Sequence, residues 1–202
     1  MTRRTGLCAG GFPAVLLLAG LNPGPAVADS RPADWPAVTP GDVSHDSATT
    51  QVTRTMRLDL PADADAVFPL FGPARESEWS PDWKPVFVTP QPPAQSRDGA
   101  VFITGDHESA TVWVMTDYDP GRRIVRYVHM RPRRLVAQLW IRVSPASPHS
   151  SQAEVTYRYT VLGPEGRDAL DHFRSAFPMF KPHWEQALRA ALSRQTGGAK
   201  GH

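Results

Sequence analysis

A chain of 202 residues with 22 Lys+Arg against 20 Asp+Glu and a net charge of +2 lacks the basic excess on which nucleic-acid binding draws. Cys8 is its one cysteine, which excludes an intramolecular disulfide and any cysteine-based metal cluster. The length suits one ordinary domain held together by packing alone.

Residues 1–28 read as a cleaved signal peptide. Arg3 and Arg4 form a positive start, Leu16-Leu17-Leu18 sits in a short apolar core, and Ala26-Val27-Ala28 is a small-x-small cleavage site. About ten apolar residues are too few to span roughly 30 Å of hydrocarbon. The expectation is therefore a periplasmic or secreted protein with no stable membrane insertion after cleavage. Without Arg3 and Arg4 the basic and acidic residues balance at 20 and 20. Residues 29–50 carry Pro32, Pro36, Pro40 and Gly41 and show no periodicity. They read as a proline-rich flexible linker.

The folded part is expected over residues 51–195. Val52, Met56, Leu58 and Leu60 alternate with polar residues up to Pro61, the pattern of a half-covered strand, with Arg54 interrupting the apolar face. Asp63 or Asp65 is placed to cap a short helix that brings Val67, Leu70 and Phe71 to one face and ends at Gly72-Pro73. Six further strands are predicted at residues 86–89, 100–104, 110–116, 124–130, 135–143 and 153–161. Breaker-rich turns separate them, among them residues 90–93, 119–121 and 144–151. The final strand alternates cleanly. The strand before it does not, because Val136 and Trp140 fall between its apolar set. One covered and one wet face is the mark of an antiparallel sheet. Residues 166–194 supply the cover as a long helix with a stripe of Ala169, Leu170, Phe173, Phe177, Phe180, Trp184 and Leu188, interrupted at Pro178 and Pro182. Residues 196–202 are glycine-rich and read as a disordered tail.

Strand, short helices, six strands and a long final helix is the order of a helix-grip fold. The segments Ala66-Val67-Phe68-Pro69-Leu70-Phe71 and Glu78-Trp79-Ser80-Pro81-Asp82-Trp83 carry the likeness, with Trp113-Val114, Tyr118-Asp119-Pro120 and Thr156-Tyr157-Arg158-Tyr159-Thr160. On these residues the chain resembles the START/Bet v1-like (SRPBCC) superfamily, and within it bacterial polyketide cyclase/dehydratase-like proteins. The resemblance implies an α+β architecture: a seven-stranded antiparallel sheet wrapped around a long C-terminal helix, with one or two short helices after the first strand. It also implies a deep, mostly apolar cavity between sheet and helix. In such a fold core and pocket lining overlap. The candidate ligand-cavity residues are Trp79, Trp83, Trp113, Met115, Leu139, Tyr157, Tyr159, Phe173, Phe177, Phe180 and Trp184.

Little in the sequence points to chemistry. His172 and His183 return to one helical face, but eleven residues at 1.5 Å each is about 16 Å, too far for one ion. His107, His129 and His149 fall on different strands or loops. No metal and no cofactor is assigned. Ser175 lies one turn from His172, but no GxSxG accompanies it. Asp117, Glu78, His129, Tyr157 and Tyr159 are the candidates for proton transfer in a cavity. Arg131, Arg133 and Arg134 share a hairpin and would guard a cavity mouth or form a solvated turn. The sequence thus reads as an exported protein that binds a small hydrophobic or amphipathic molecule, with no catalytic residue assigned. The alternative is a cyclase, dehydratase or isomerase acting on an apolar substrate in the same cavity.

Overall fold

In the computed structural model, residues 45–47, 51–90, 96–106 and 110–198 are described. The proposed signal, most of the linker and His107 lie outside them. Eight antiparallel strands form one open sheet in the order β1-β2-β8-β7-β6-β5-β4-β3. They are β1 (His45–Ser47), β2 (Gln51–Leu60), β3 (Val86–Thr89), β4 (Val101–Thr104), β5 (Thr111–Asp119), β6 (Ile124–Arg131), β7 (Leu135–Ser147) and β8 (Ser150–Val161). The helices are α1 (Ala64–Val67), α2 (Arg167–Ala176) and α3 (Phe180–Gly198). Seven of the strands are those the alternation predicts, and the architecture is the helix-grip arrangement.

Several boundaries differ from the sequence reading, among them the end of β5, which runs to Asp119 and not to 116. Residues 45–47, assigned to the linker, pair with Thr53, Val52 and Gln51 of β2, satisfying part of what would otherwise be a bare sheet edge. The breaker-rich stretch 144–151 is not a loop. The β7–β8 ladder runs on through Pro145 and closes between Ser147 and Ser150, with a register shift at Pro145, where a residue lacking an N–H is tolerated. Finally, α3 continues to Gly198, so the tail read as disordered from Thr196 begins as helix.

The short helices obey the local signals. The Asp63 carboxylate accepts from the Ala66 N–H at 2.9 Å and caps α1. A 3-10 turn, Phe68–Phe71, follows and stops at Gly72. At the other end of the chain the two prolines act as expected. A 3-10 turn, Phe177–Met179, separates α2 from α3, and Pro182 falls in the first turn of α3, where its missing N–H costs little.

The inner face of the sheet packs under α2 and α3. Leu170, Phe173, Trp184 and Leu188 are all buried there, each contributing about 1.5–3 kcal/mol relative to exposure. Polar clamps fix α3 at both ends. The Asp59 N–H donates to the Glu185 carboxylate at 2.8 Å, and Lys181 lies 3.3 Å from Asp59. Beyond these, Arg194 donates to the Glu78 carbonyl at 2.6 Å and Gln195 to the Glu78 carboxylate at 3.0 Å. The start of α2 is seated by Gly166, where a Cβ would collide with the Arg134 carbonyl oxygen. The opposite face of the sheet carries a buried Thr55–Thr156 hydroxyl pair at 2.8 Å. On β7, Trp140, the residue that spoils the alternation, lies under the Arg158 guanidinium at 5.0 Å.

Candidate ligand cavity

The segment after α1 leaves backbone carbonyls that no helix uses, and aromatic tips take them up. The Trp79 indole N–H donates to the Leu70 carbonyl and the Trp83 indole N–H to the Pro73 carbonyl, each at 2.7 Å. From β6 the Tyr127 hydroxyl donates to the Phe71 carbonyl at 2.7 Å. The two tryptophans of Glu78-Trp79-Ser80-Pro81-Asp82-Trp83 are thus architectural. They pin residues 70–83 against the sheet and fix a 3-10 turn, Glu76–Glu78, anchored by the Glu76 N–H on the Gly72 carbonyl at 3.0 Å.

That turn decides the fate of two carboxylates. Glu78 faces outward, pairs with Arg75 at 2.6 Å and receives Gln195. Ion pairing and hydrogen bonding with Arg75 hold its carboxyl below the ordinary range. Glu76 turns inward and is 7% exposed. No hydrogen bond or cation reaches its carboxyl among the described residues, and burial alone pushes its pKa well above the ordinary value. Glu78, named from the sequence as a proton-transfer candidate, therefore ties its own loop to α3, and the buried acid is its neighbour two residues earlier.

Glu76 borders a cavity of about 10 Å³ between sheet and α3, room for about one water. The walls come from Phe71 and Trp83 on the α1 side, Trp113 of β5 and Tyr127 of β6. Leu139 and Ile141 of β7, Tyr157 of β8 and Trp184 of α3 complete them. At this point between sheet and α3 the interior is nearly filled, because large rings pack into it from both layers. Tyr157 is 3% exposed and its hydroxyl has no hydrogen-bond partner among the described residues. Burial, with the Glu76 carboxyl nearby, raises the pKa of both Tyr157 and Tyr127.

Of the eleven residues named from the sequence, Trp83, Trp113, Leu139, Tyr157 and Trp184 meet at this cavity. Trp79 packs on Trp184 at 4.9 Å between ring centres, and Met115 is fully buried on β5. Tyr159 stacks on Phe173 at 4.1 Å. Phe177, half-buried, lies 5.5 Å from Phe173 and 5.6 Å from Phe180. These four rings fill the interior beneath the α2–α3 junction and lie outside the cavity wall. Phe71, Glu76, Tyr127 and Ile141 were not named. Tyr127 and Ile141 lie on inner-face positions of their strands, a signal that period-2 counting carries. For Glu76 no signal existed, since two carboxylates stand two residues apart in a polar stretch.

The remaining polar candidates are accounted for elsewhere. Asp117 pairs with Arg126 at 3.5 Å. His129 is buried, packs tilted against Trp113 at 4.3 Å between ring centres, has neither ring nitrogen hydrogen-bonded among the described residues, and has its pKa brought down to about 3 by burial and the Arg131 charge. Acids answer several of the arginines: Asp119 meets Arg122, Asp65 meets Arg123 and Glu165 meets Arg133. Among the described residues there is no cluster of potential metal ligands, and no helix is long and apolar enough to cross a membrane.

An antiparallel sheet gripping a long C-terminal helix over an aromatic interior defines the helix-grip class. Solved structures share this fold. The aromatase/cyclase ZhuI from Streptomyces sp. R1128 superposes with a TM-score of 0.54 at 15% identity, over 75% of this chain and 99% of that one. A START superfamily protein from Mycobacterium smegmatis gives 0.53 at 12% identity, over 71% and 98%. Truncated norcoclaurine synthase from Thalictrum flavum gives 0.54 at 13% identity, over 73% and 98%. No protein-family model matches the sequence, and no curated protein does. The chain has the START/Bet v1-like (SRPBCC) fold.

Proposed function

We propose that this chain is an exported protein that holds a small hydrophobic or amphipathic molecule between the sheet and α3. The observation that carries this reading is the state of the interior at Glu76 and Tyr157. Glu76 and Tyr157 both line one void, and neither the buried carboxyl nor the buried hydroxyl has a hydrogen-bond partner among the described residues. Buried polar groups are rarely left so, and a guest with a polar end supplies what they lack. The void itself admits about one water, so the apolar part of a guest must displace rings on the α2–α3 side, where the helix is already interrupted at Phe177–Met179. Fold neighbours that include a START superfamily protein and an aromatase/cyclase support a binding interior. Export rests on the positive start, apolar core and Ala26-Val27-Ala28 site. Native mass spectrometry of the protein from its own host tests both parts. The expected result is a mature chain starting near Asp29 that carries a small molecule lost on organic extraction. Retention of residues 1–28 contradicts export. A bare chain that also binds no apolar dye contradicts the ligand reading.

A second reading has one observation behind it. A carboxyl whose pKa burial raises well above the ordinary value, with two tyrosines around the same void, is a set able to deliver and retrieve a proton. A cyclase, dehydratase or isomerase built on it would lose turnover in Glu76→Gln while keeping ligand affinity.

A further inference from the structure

We infer that the cavity is an ammonium site, in which Glu76 is the counter-ion and the rings of Trp83, Trp113, Trp184, Tyr127 and Tyr157 are the walls. The ligand then carries a primary ammonium head on an apolar body. This deepens the reading of the interior as a ligand site and rests on it.

Three features point the same way. The first is the wall itself. Six of the nine lining residues are aromatic, two are aliphatic and one is an acid. Ring faces carry negative electrostatic potential and attract cations, most strongly at tryptophan and where water is excluded. The second is charge. The groups facing Glu76 around the void are the phenols of Tyr127 on β6 and Tyr157 on β8, while α3 presents Trp184 and the α1 side Phe71 and Trp83. None of these is a cation. Arg75 is bound to Glu78, and Arg54, opposite Tyr157 across the β2–β8 ladder, donates to the Thr53 carbonyl. A cationic guest brings the opposite charge that a buried carboxyl needs. An anionic head would meet a carboxyl and no cation, and a neutral head gains nothing from an acid whose ionisation burial disfavours, whereas an ammonium head lets Glu76 ionise against it. The third feature is fit. An ammonium head is close to the size of the one water that the void of about 10 Å³ admits. Its N–H donors call for acceptors, and two residues that line the void carry them: Glu76, and Tyr157, whose hydroxyl has no partner among the described residues.

The test is displacement of the neutral dye N-phenyl-1-naphthylamine at pH 7 by three probes of one shape: benzylamine, benzyl alcohol and benzoate. In the wild-type protein benzylamine is expected to compete about tenfold or more better than benzyl alcohol, with benzoate weakest. Glu76→Gln should bind the dye and lose the preference for benzylamine. The inference is overturned if benzyl alcohol or benzoate competes as well as benzylamine in the wild type, a result that needs no variant to fold. It is also overturned if Glu76→Gln keeps the full preference. Dye binding that none of the three probes displaces removes the ammonium assignment and leaves the ligand reading standing. Failure of the dye itself to bind removes both.

Discussion

On one side of the inner face Glu76 lines a void walled mainly by aromatic rings. Further along the sheet His129 is held between Trp113, 4.3 Å away, and Tyr159, 5.7 Å away. Both are buried titratable groups without hydrogen-bond partners among the described residues, and burial favours the neutral form of both. They differ in what surrounds them. His129 has rings on two sides and is not among the residues around the void. Glu76 has a vacancy of about one water beside it and a second unpartnered group, Tyr157, on the same wall. A buried polar group becomes a candidate site when space and a second unsatisfied group accompany it. Without them it is a core residue whose neutrality the fold enforces.

The largest expected effect falls on the wall of the void. Trp184 is 4% exposed and joins α3 to Trp79, Phe71 and Tyr157. Trp184→Ala should cost about 3–5 kcal/mol in urea unfolding. A cost near zero would mean that Trp184 does not seal the interior.

The next effect separates the two groups by pH. His129 has its pKa lowered from 6.5 to about 3 in the folded state, so it contributes stability above 6.5 that is lost as pH falls towards 3. The slope is up to about 1.4 kcal/mol per pH unit. The groups facing it are Trp113 of β5, Arg131 of β6 and Tyr159 of β8. Glu76 has a raised pKa, so its contribution is full below the unfolded value of 4.5 and is lost as pH rises through the folded value. The two contributions oppose each other between 4.5 and 6.5, so His129→Leu should remove a rise of stability with pH between about 3 and 6.5 and Glu76→Gln a fall above 4.5. If one variant removes both the rise and the fall, the two groups are coupled and the comparison fails.

Smaller effects follow. Gly166→Ala forces a Cβ against the Arg134 carbonyl and should cost about 1–3 kcal/mol, measured as a shift of the denaturation midpoint. Tyr157→Phe removes a hydroxyl that has no partner. It should change unfolding free energy by no more than about 1 kcal/mol while weakening any ligand that uses that group.

Much of the frame was legible because period-2 alternation and a helical stripe are strong signals. Val52, Met56, Leu58 and Leu60 all lie in the core, and Phe173, Trp184 and Leu188 all face the sheet. The two prolines foretold the interruption at Phe177–Met179. What was not legible depends on geometry that no spacing encodes. Whether Glu76 or Glu78 turns inward follows from a single 3-10 turn anchored on Gly72. The size of the void follows from how rings of two layers interlock, which composition does not report. The β7–β8 ladder passes through Pro145 because tertiary pairing overrides a local breaker at the exposed end of a hairpin.

The central claim is that a guest enters beside Glu76 and not beside His129. Fluorescence titration with N-phenyl-1-naphthylamine on two variants tests it most directly. Leu139→Phe adds bulk to the wall of the void and is expected to weaken dye binding by about tenfold or more. His129→Leu alters the closed end and is expected to leave the affinity within about twofold. Full dye binding in Leu139→Phe together with its loss in His129→Leu would contradict the account.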